Sequence, residues 1–386
     1  MVNIEQSNNK IKQNMGSNVF SNAYSGKKIL ITGHTGFKGS WLTAWLLKLG
    51  AFVVGFSKDV PTTPAMFDEL GLSGRIRHHQ ADIRDLAAMR ALFFEERPDF
   101  VFHLAAQAIV SASYADPVET ITTNVVGTMN VLEALRQAEH ACVAVLITSD
   151  KCYDNVEWIW GYRETDAVGG KDIYSGSKGA AELVIKSYLH SFFQSKNNLV
   201  RLGIGRAGNV IGGGDWAKDR IVVDCMRAWN EGRTVEIRSP SATRPWQHVL
   251  EPLSGYLTLG VALAEANDLH GEAFNFGPRA EQSRTVVELL GDLGRHWNFT
   301  RTEDAYRITG NIPFHEAGLL KLNCDKSLFH LKWEPNLDYA ETIRIVSDWY
   351  YAYYREQRDM YAFTLDQITA YESIAEERSR IWTQPL

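Results

Sequence analysis

Cysteine is scarce: Cys142, Cys152, Cys225 and Cys324 are the only four in 386 residues. No two stand in a CxxC spacing, so neither a zinc ribbon nor a disulfide framework fits, no metal site is expected, and a reducing compartment suits the chain. Long apolar runs are missing too. None approaches the roughly 18 residues of a membrane span, and the N-terminus has no basic patch followed by an apolar stretch. The expectation is a cytoplasmic protein with no membrane partner. There is also no block of one charge sign: 40 Lys and Arg face 46 Asp and Glu, a net charge of −6. That excludes a basic face tracking nucleic acid. What remains is an ordinary globular composition, 45% hydrophobic and 22% charged, on a chain longer than one core usually serves, so two lobes are expected.

Residues 1–25 carry six asparagines and little periodic apolar content, and read as a disordered or loosely docked tail. From Lys27 short apolar runs alternate with helical periodicity. Ile29 to Thr32 reads as a strand, Trp41, Leu42, Trp45, Leu46 and Leu49 as one stripe of a helix, and Ala51 to Phe56 as the next strand. Phe100 to Leu104, a helix carrying Val125, Met129, Leu132 and Leu135, and Val143 to Thr148 repeat the pattern. Such alternation predicts an α/β fold, a Rossmann-type parallel sheet with helices on both faces, over residues 26–205. After about residue 205 the rhythm loosens through Gly212-Gly213-Gly214-Asp215, Arg238-Ser239-Pro240 and Arg244-Pro245-Trp246. Residues 206–350 are therefore expected to build mainly a smaller, C-terminal substrate-binding lobe, with some segments returning to the sheet. Residues 351–386 read as an aromatic-rich helical extension that packs on the body or on another subunit.

Gly33, Gly36 and Gly39 form GxxGxxG between the first strand and the first helix. Glycine there lets the backbone approach a pyrophosphate, whose charge the helix N-terminal N–H groups hold. Asp82, after the third strand, is placed either to accept from an adenine amine or to cap the next helix. At the end of the second strand, where a carboxylate holds the ribose of NAD, stands Ser57-Lys58-Asp59. Its cation suits a 2′-phosphate equally, so these residues leave NAD and NADP open.

Tyr174 and Lys178 are at i and i+4 on one helical face. An ammonium beside the phenol, and a nicotinamide cation over it, favour the phenolate that a proton-accepting tyrosine needs. Spacing alone decides nothing, because Tyr24 and Lys28 share it. Position decides: Tyr174 follows the strand Val143 to Thr148, whose C-terminal end carries a hydroxyl, a carboxyl and an amine in succession, Ser149, Asp150 and Lys151. Strand C-terminal ends are where open parallel sheets place their chemistry.

Together with His103-Leu104-Ala105-Ala106-Gln107 and Asn124-Val125-Val126-Gly127-Thr128, these motifs resemble the extended short-chain dehydrogenase/reductase superfamily from about Lys28 to Tyr350. Gly33 to Trp41, Ser149 to Tyr153, Trp160 to Glu164, Gly208 to Trp216 and Arg244 to Val249 are similar to its CDP-glucose 4,6-dehydratases, which have Asp-Lys where other nucleotide-sugar dehydratases have Asp-Glu. The resemblance implies a lyase that removes water from CDP-glucose with NAD as bound cofactor, assembled as a homodimer or homotetramer. It implies Ser149, Tyr174 and Lys178 for hydride transfer, and Asp150 with Lys151 for loss of water. Around NAD it places Gly33, Gly36, Phe37, Lys38, Gly39, Lys58, Asp82, Ile83, Leu104, Ala105, Ala106, Gln107, Asn124, Tyr174 and Lys178. Around the nucleotide sugar it places Gln107, Asn209, Arg220, Arg244 and His248. An arginine fork suits a diphosphate independently of any resemblance.

Overall fold

The computed structural model describes residues 19–384 except 196–197, 238–239, 280–281, 298, 300 and 310–318. Seven strands form one sheet: β1 (Lys28–Thr32), β2 (Phe52–Ser57), β3 (Arg77–Gln80), β4 (Phe100–His103), β5 (Cys142–Ile147), β6 (Val200–Ala207) and β7 (Ala273–Phe276). Their order is β3-β2-β1-β4-β5-β6-β7 and every pairing is parallel. The interior strands are apolar on both faces, as a doubly covered sheet requires. Ile29, Ile31, Phe102 and Val145 point to one side, Leu30, Val101, Ala144 and Leu146 to the other. The first face is covered by α1 (Phe37–Lys48) and, later in the chain, by a helix at Leu250–Glu265. The second face is covered by α2 (Leu86–Glu96), α3 (Gly127–Arg136) and α4 (Ile173–Tyr188). Strand order reverses between β1 and β4, which opens a crevice at the C-terminal ends of those strands.

Beyond β6 come α5 (Ile221–Asn230), α6 (Leu250–Glu265) and α7 (Val286–His296), with three two-stranded ribbons. β7 returns to the sheet edge beside β6. The core under α1 and α6 continues into this second lobe, through Trp216, Trp229 and Leu289. Arg238 and Ser239 lie outside the described residues.

The chain ends in α8 (Tyr339–Tyr351) and α9 (Met360–Glu377). Most of their aromatics pack on the body, while Tyr351 faces solvent. Trp349, Tyr350 and Tyr371 are fully buried, and Trp45 of α1 donates to Glu372 of α9 at 2.8 Å. The expectation of a loose tail up to residue 25 needs correction for residues 19–25: Val19, Phe20 and Tyr24 are buried. Phe20 stacks on Trp382 with ring centres 5.1 Å apart, and the Tyr24 hydroxyl donates to the Leu257 carbonyl at 2.6 Å. Val19, Phe20, Ala23 and Tyr24, clustered at the end of an asparagine-rich stretch, suffice to dock it. Residues 1–18 of that expectation lie outside the described residues.

Candidate active site

A cavity of about 1510 Å³ lies over the C-terminal ends of the strands, and the glycine loop forms one wall. Gly33 has φ +77, and a Cβ there would come within 2.6 Å of the Ala105 amide nitrogen. A Cβ on Gly39 would run into the Gly33 carbonyl oxygen. These two glycines fix the turn and bring α1 against β1, so the loop cannot carry side chains. Gly36 keeps an open side, with only the Gly33 oxygen at 3.4 Å. Helix α1 starts at Phe37 without a side-chain cap, leaving its first-turn N–H groups to a ligand anion. The cradle fits a dinucleotide pyrophosphate.

The far end of this wall is charge-paired. Both oxygens of Asp82 are held by Arg84, with Nη2 at 2.6 Å, and that hydrogen bond pulls its carboxyl below the ordinary range. Asp82 is not the cap of α2; Asp85 is, accepting from the Ala88 amide at 3.0 Å. Lys58 reaches Glu119 at 3.0 Å, so a carboxylate accompanies the cation that sequence left ambiguous. Ile83, Leu104, Ala105 and Ala106 line the same cavity.

Opposite the glycines, β5 ends at Ile147 and the chain runs on through Thr148 into a turn of Ser149, Asp150 and Lys151. Ser149 Oγ donates to Asp150 Oδ1 at 2.8 Å and accepts from the Lys151 amide at 3.3 Å. Lys151 Nζ lies 3.3 Å from Asp150 Oδ2. Helix α4 brings Tyr174 and Lys178 to the cavity, with Lys178 Nζ 5.9 Å from the Tyr174 ring centre. Asp172 caps that helix, accepting from the Ser175 amide at 3.0 Å.

The electrostatics run against the simplest expectation from sequence. Burial, then the Asp150 charge, push the Tyr174 phenol up to about 12; Arg220 and a hydrogen bond from Ser149 oppose them. Burial brings the Lys178 amine down to about 8. The protein alone therefore holds the phenol neutral, and the positive charge that favours phenolate must arrive with a bound group.

Lys38 enters the cavity from the first turn of α1. Burial brings its amine down to about 7, with Arg220 and Lys178 acting in the same sense and Asp150 against them. A folded-state value below the ordinary 10.5 means that folding favours the neutral amine. That cost is fully present below about pH 7 and is lost as pH rises toward about 10.5. Lys38→Met, compared with its parent in the absence of ligands, is expected to melt higher at pH 7 and to converge near pH 10.5. A gap that widens with pH in calorimetry contradicts this.

Two expected ligand contacts are displaced. Asn124 is buried beneath the wall, on a π-helical segment (Thr122–Val126). Its Oδ1 accepts from the Gln107 amide at 2.8 Å and its Nδ2 donates to Ser177 Oγ at 2.8 Å, so it fixes the 104–107 loop against α4. His248 is also fully buried, kept neutral by burial and packed edge-on against Trp41 at 5.6 Å. The strand pairing that carries Gln247–His248 turns the imidazole inward. Asn209, Arg220 and Arg244 do line the cavity, Arg220 lying 3.3 Å from the buried Asp215. Gln107 lines it too, but its side chain bonds Thr120 and the Ile109 amide.

Sequence reasoning missed the support beneath α4. Glu182 accepts from Thr148 at 2.5 Å and from both fork nitrogens of Arg206, at 2.8 and 2.9 Å. Arg206 also donates to the Tyr153 hydroxyl at 2.8 Å. The signal was Glu182 at the next i+4 step after Tyr174 and Lys178. Trp216, in the cavity wall, was likewise unassigned; Tyr354 and Tyr350 of the C-terminal region brace its loop.

A family model described as GDP-mannose 4,6 dehydratase matches residues 30–258. A CDP-glucose 4,6-dehydratase of Salmonella typhimurium is 44% identical over 355 residues, covering 91% of this chain and 98% of the relative. A CDP-paratose 2-epimerase of Salmonella typhi is 27% identical, covering 83% of this chain and 98% of the relative. The fold matches a solved dTDP-glucose 4,6-dehydratase from Bacillus anthracis in complex with NAD, with TM-score 0.70, 18% identity, and 87% and 98% coverage. Since the family match spans more than half of the chain, and the glycine cradle, the Ser149 turn and the Tyr174 helix all fall inside it, this protein belongs to the GDP-mannose 4,6 dehydratase family.

Proposed function

We propose that the protein is an NAD-dependent CDP-glucose 4,6-dehydratase, converting CDP-D-glucose to CDP-4-keto-6-deoxy-D-glucose and water. The observation that carries this reading is the convergence, in one cavity, of Tyr174 and Lys178 from α4 with Ser149, Asp150 and Lys151 from the end of β5. An epimerase needs the first pair alone; loss of water needs an acid and a base as well. The identity of 44% with a CDP-glucose 4,6-dehydratase supports the nucleotide.

Gly33, Gly36, Gly39 and the first turn of α1 would hold the dinucleotide, with Lys58, Asp82 and Ile83 toward its adenosine end. Bound there, it supplies a hydride acceptor that later becomes the donor. Glu119 beside Lys58 disfavours a 2′-phosphate, which supports NAD over NADP. Tyr174 takes the O4 proton as the C4 hydride leaves. The resulting ketone makes the C5 proton acidic, and Lys151 removes it. Asp150 protonates the departing 6-hydroxyl, and hydride returns at C6. Arg220 and Arg244 suit the diphosphate.

Stripped protein, reloaded with NAD or NADP and offered CDP-, dTDP-, UDP- and GDP-glucose, tests the reading. NAD with CDP-glucose is expected to lead, with kcat/KM about tenfold or more above the other sugars, because base contacts remote from C4 orient the reacting carbons. Equal turnover of dTDP-glucose, read as loss of water by mass, sinks it.

Two further features belong to this reading. Among the described residues no helix is long and apolar enough to cross a membrane. The four unpaired cysteines fit a cytoplasmic location. Val118, 70% exposed on the short helix Pro117–Ile121, and Leu183, 55% exposed on α4, leave apolar side chains on two helices that pack together, which supports a homodimer or homotetramer. Light scattering is expected to read at least twice the chain mass, and Leu183→Glu to lower it; a monomeric parent contradicts this.

A further inference from the structure

An arginine grips a diphosphate well only if its fork is already aimed, because ordering a long free side chain costs rotamer entropy. Arg220 is aimed from behind: its Nε lies 3.3 Å from Oδ2 of Asp215. That Nε is buried, whereas the side chain as a whole keeps 36% of its surface, so the accessible part is the remainder of a residue that lines the cavity. Among the described residues no hydrogen bond occupies its two Nη atoms. The N–H groups on Nη are the ones suited to parallel bonds with an oxyanion. Arg220 is also where α5 begins, and no side chain caps that helix, which leaves free first-turn N–H groups next to the same fork.

Asp215 is itself clamped. Its side chain is 7% exposed, and Oδ1 accepts from the Ala217 amide at 3.1 Å, which turns Oδ2 to Arg220. Its carbonyl accepts from the Tyr350 hydroxyl of α8 at 2.7 Å. On one side of it, the Trp349 ring fills the space that a Cβ on Gly213 would need. On the other, Trp216 donates to the Tyr354 hydroxyl just beyond α8 at 2.9 Å, and its carbonyl accepts from Arg227 of α5 at 2.7 Å. The loop that carries Asp215 is therefore wedged between α5 and the aromatics of the C-terminal extension. A buried carboxylate is costly unless a cation matches it, and the cation in contact here is the arginine of the cavity wall.

We propose that Asp215 is a positioning residue that presents the Arg220 fork to the diphosphate of the nucleotide sugar, and that Trp349, Tyr350 and Tyr354 belong to the substrate site because they hold Asp215 in place. This rests on the dehydratase reading above and adds to it the residues behind the arginine. Asp215 has two effects of opposite sign. It aims the fork, which strengthens the grip on an anion, and it takes positive charge out of the site, which weakens it. Repulsion across a cavity open to water is screened, whereas two parallel charge-assisted bonds exist only with the fork in place. Aim outweighs charge, so loss of the carboxylate weakens binding. The extension that sequence reads as mere packing thereby sets affinity for the substrate from outside the cavity.

The test is calorimetric titration of the NAD-loaded protein with CDP, and of stripped protein with NAD. Asp215→Asn is the informative variant: its Oδ1 keeps the Ala217 amide, while Nδ2 sets a donor against the Arg220 Nε. It is expected to weaken CDP about tenfold, and Arg220→Met at least as much. The double variant binds CDP no more weakly than Arg220→Met alone, since nothing is left to position. NAD affinity stays parental throughout. Tyr350→Phe, which keeps the ring and removes the hydroxyl behind Asp215, weakens CDP about threefold. CDP binding that is unchanged or tighter in Asp215→Asn, losses that add in the double variant, or an equal loss of NAD affinity overturns the positioning role. Parental CDP affinity in Tyr350→Phe overturns the part given to the C-terminal aromatics. A parent that does not bind CDP overturns the dehydratase reading, and this role with it.

Discussion

Tyr174→Phe is expected to lower turnover by about 10³-fold and to leave the nicotinamide oxidised when CDP-glucose is mixed in. Oxidation at C4 cannot run until the O4 proton has somewhere to go. Tyr174 is the acid or base best placed for it, since the Ser149 hydroxyl is committed to Asp150 and the Asp150 oxygens to Ser149 and Lys151. Removing a positioned acid–base group costs roughly 10² to 10⁴ in rate. The protein holds this phenol neutral, pushed up to about 12 chiefly by burial. Turnover in the parent should therefore rise with pH toward alkaline values, less steeply once the nicotinamide cation is in place, and the Phe variant should lack that limb. Stopped-flow absorbance of the nicotinamide checks both. Reduction of the cofactor at a near-parental rate in Tyr174→Phe would contradict the assignment.

The chain carries its frame plainly and its electrostatics poorly. Three glycines between a strand and a helix announce the cradle because only a missing Cβ lets Gly33 approach Ala105 and Gly39 approach Gly33. The alternation of apolar runs locates β1, β2, β4 and β5 to within a residue or two, since strands buried on both faces read as near-continuous apolar runs with polar residues only at their ends. Direction is harder. His248 and Asn124 stand in stretches that line or adjoin the cavity, yet one imidazole turns toward Trp41 and one amide toward Ser177. A linear motif does not say which side of a two-residue ribbon faces inward. The state of Tyr174 is also set at a distance, by burial and by Asp150, 24 positions earlier in the chain. Residues 19–25 show the same limit: composition reads the stretch as unstructured, while Trp45, Trp382 and the Leu257 carbonyl supply its partners from far along the chain.

Lys151→Ala is expected to stop the enzyme one step later than Tyr174→Phe. Tyr174, Lys178 and the cradle are untouched, so C4 oxidation proceeds and reduced nicotinamide accumulates with the ketosugar. Without the amine, the C5 proton has no acceptor on that face, and overall turnover falls by about 10² to 10⁴. The ion pair to Asp150 Oδ2 at 3.3 Å offers another account of such a loss, in which Lys151 merely holds the carboxylate. Lys151→Arg separates the two. A guanidinium restores the ion pair but stays protonated, so it cannot take the C5 proton. If Lys151 is the base, Arg behaves like Ala: reduced nicotinamide builds up, and deuterium from solvent fails to enter C5. If Lys151 only positions Asp150, Arg recovers turnover and solvent deuterium appears at C5. Stopped-flow absorbance together with mass analysis of product made in deuterated water reads both variants, and parental turnover in either removes Lys151 from the chemistry.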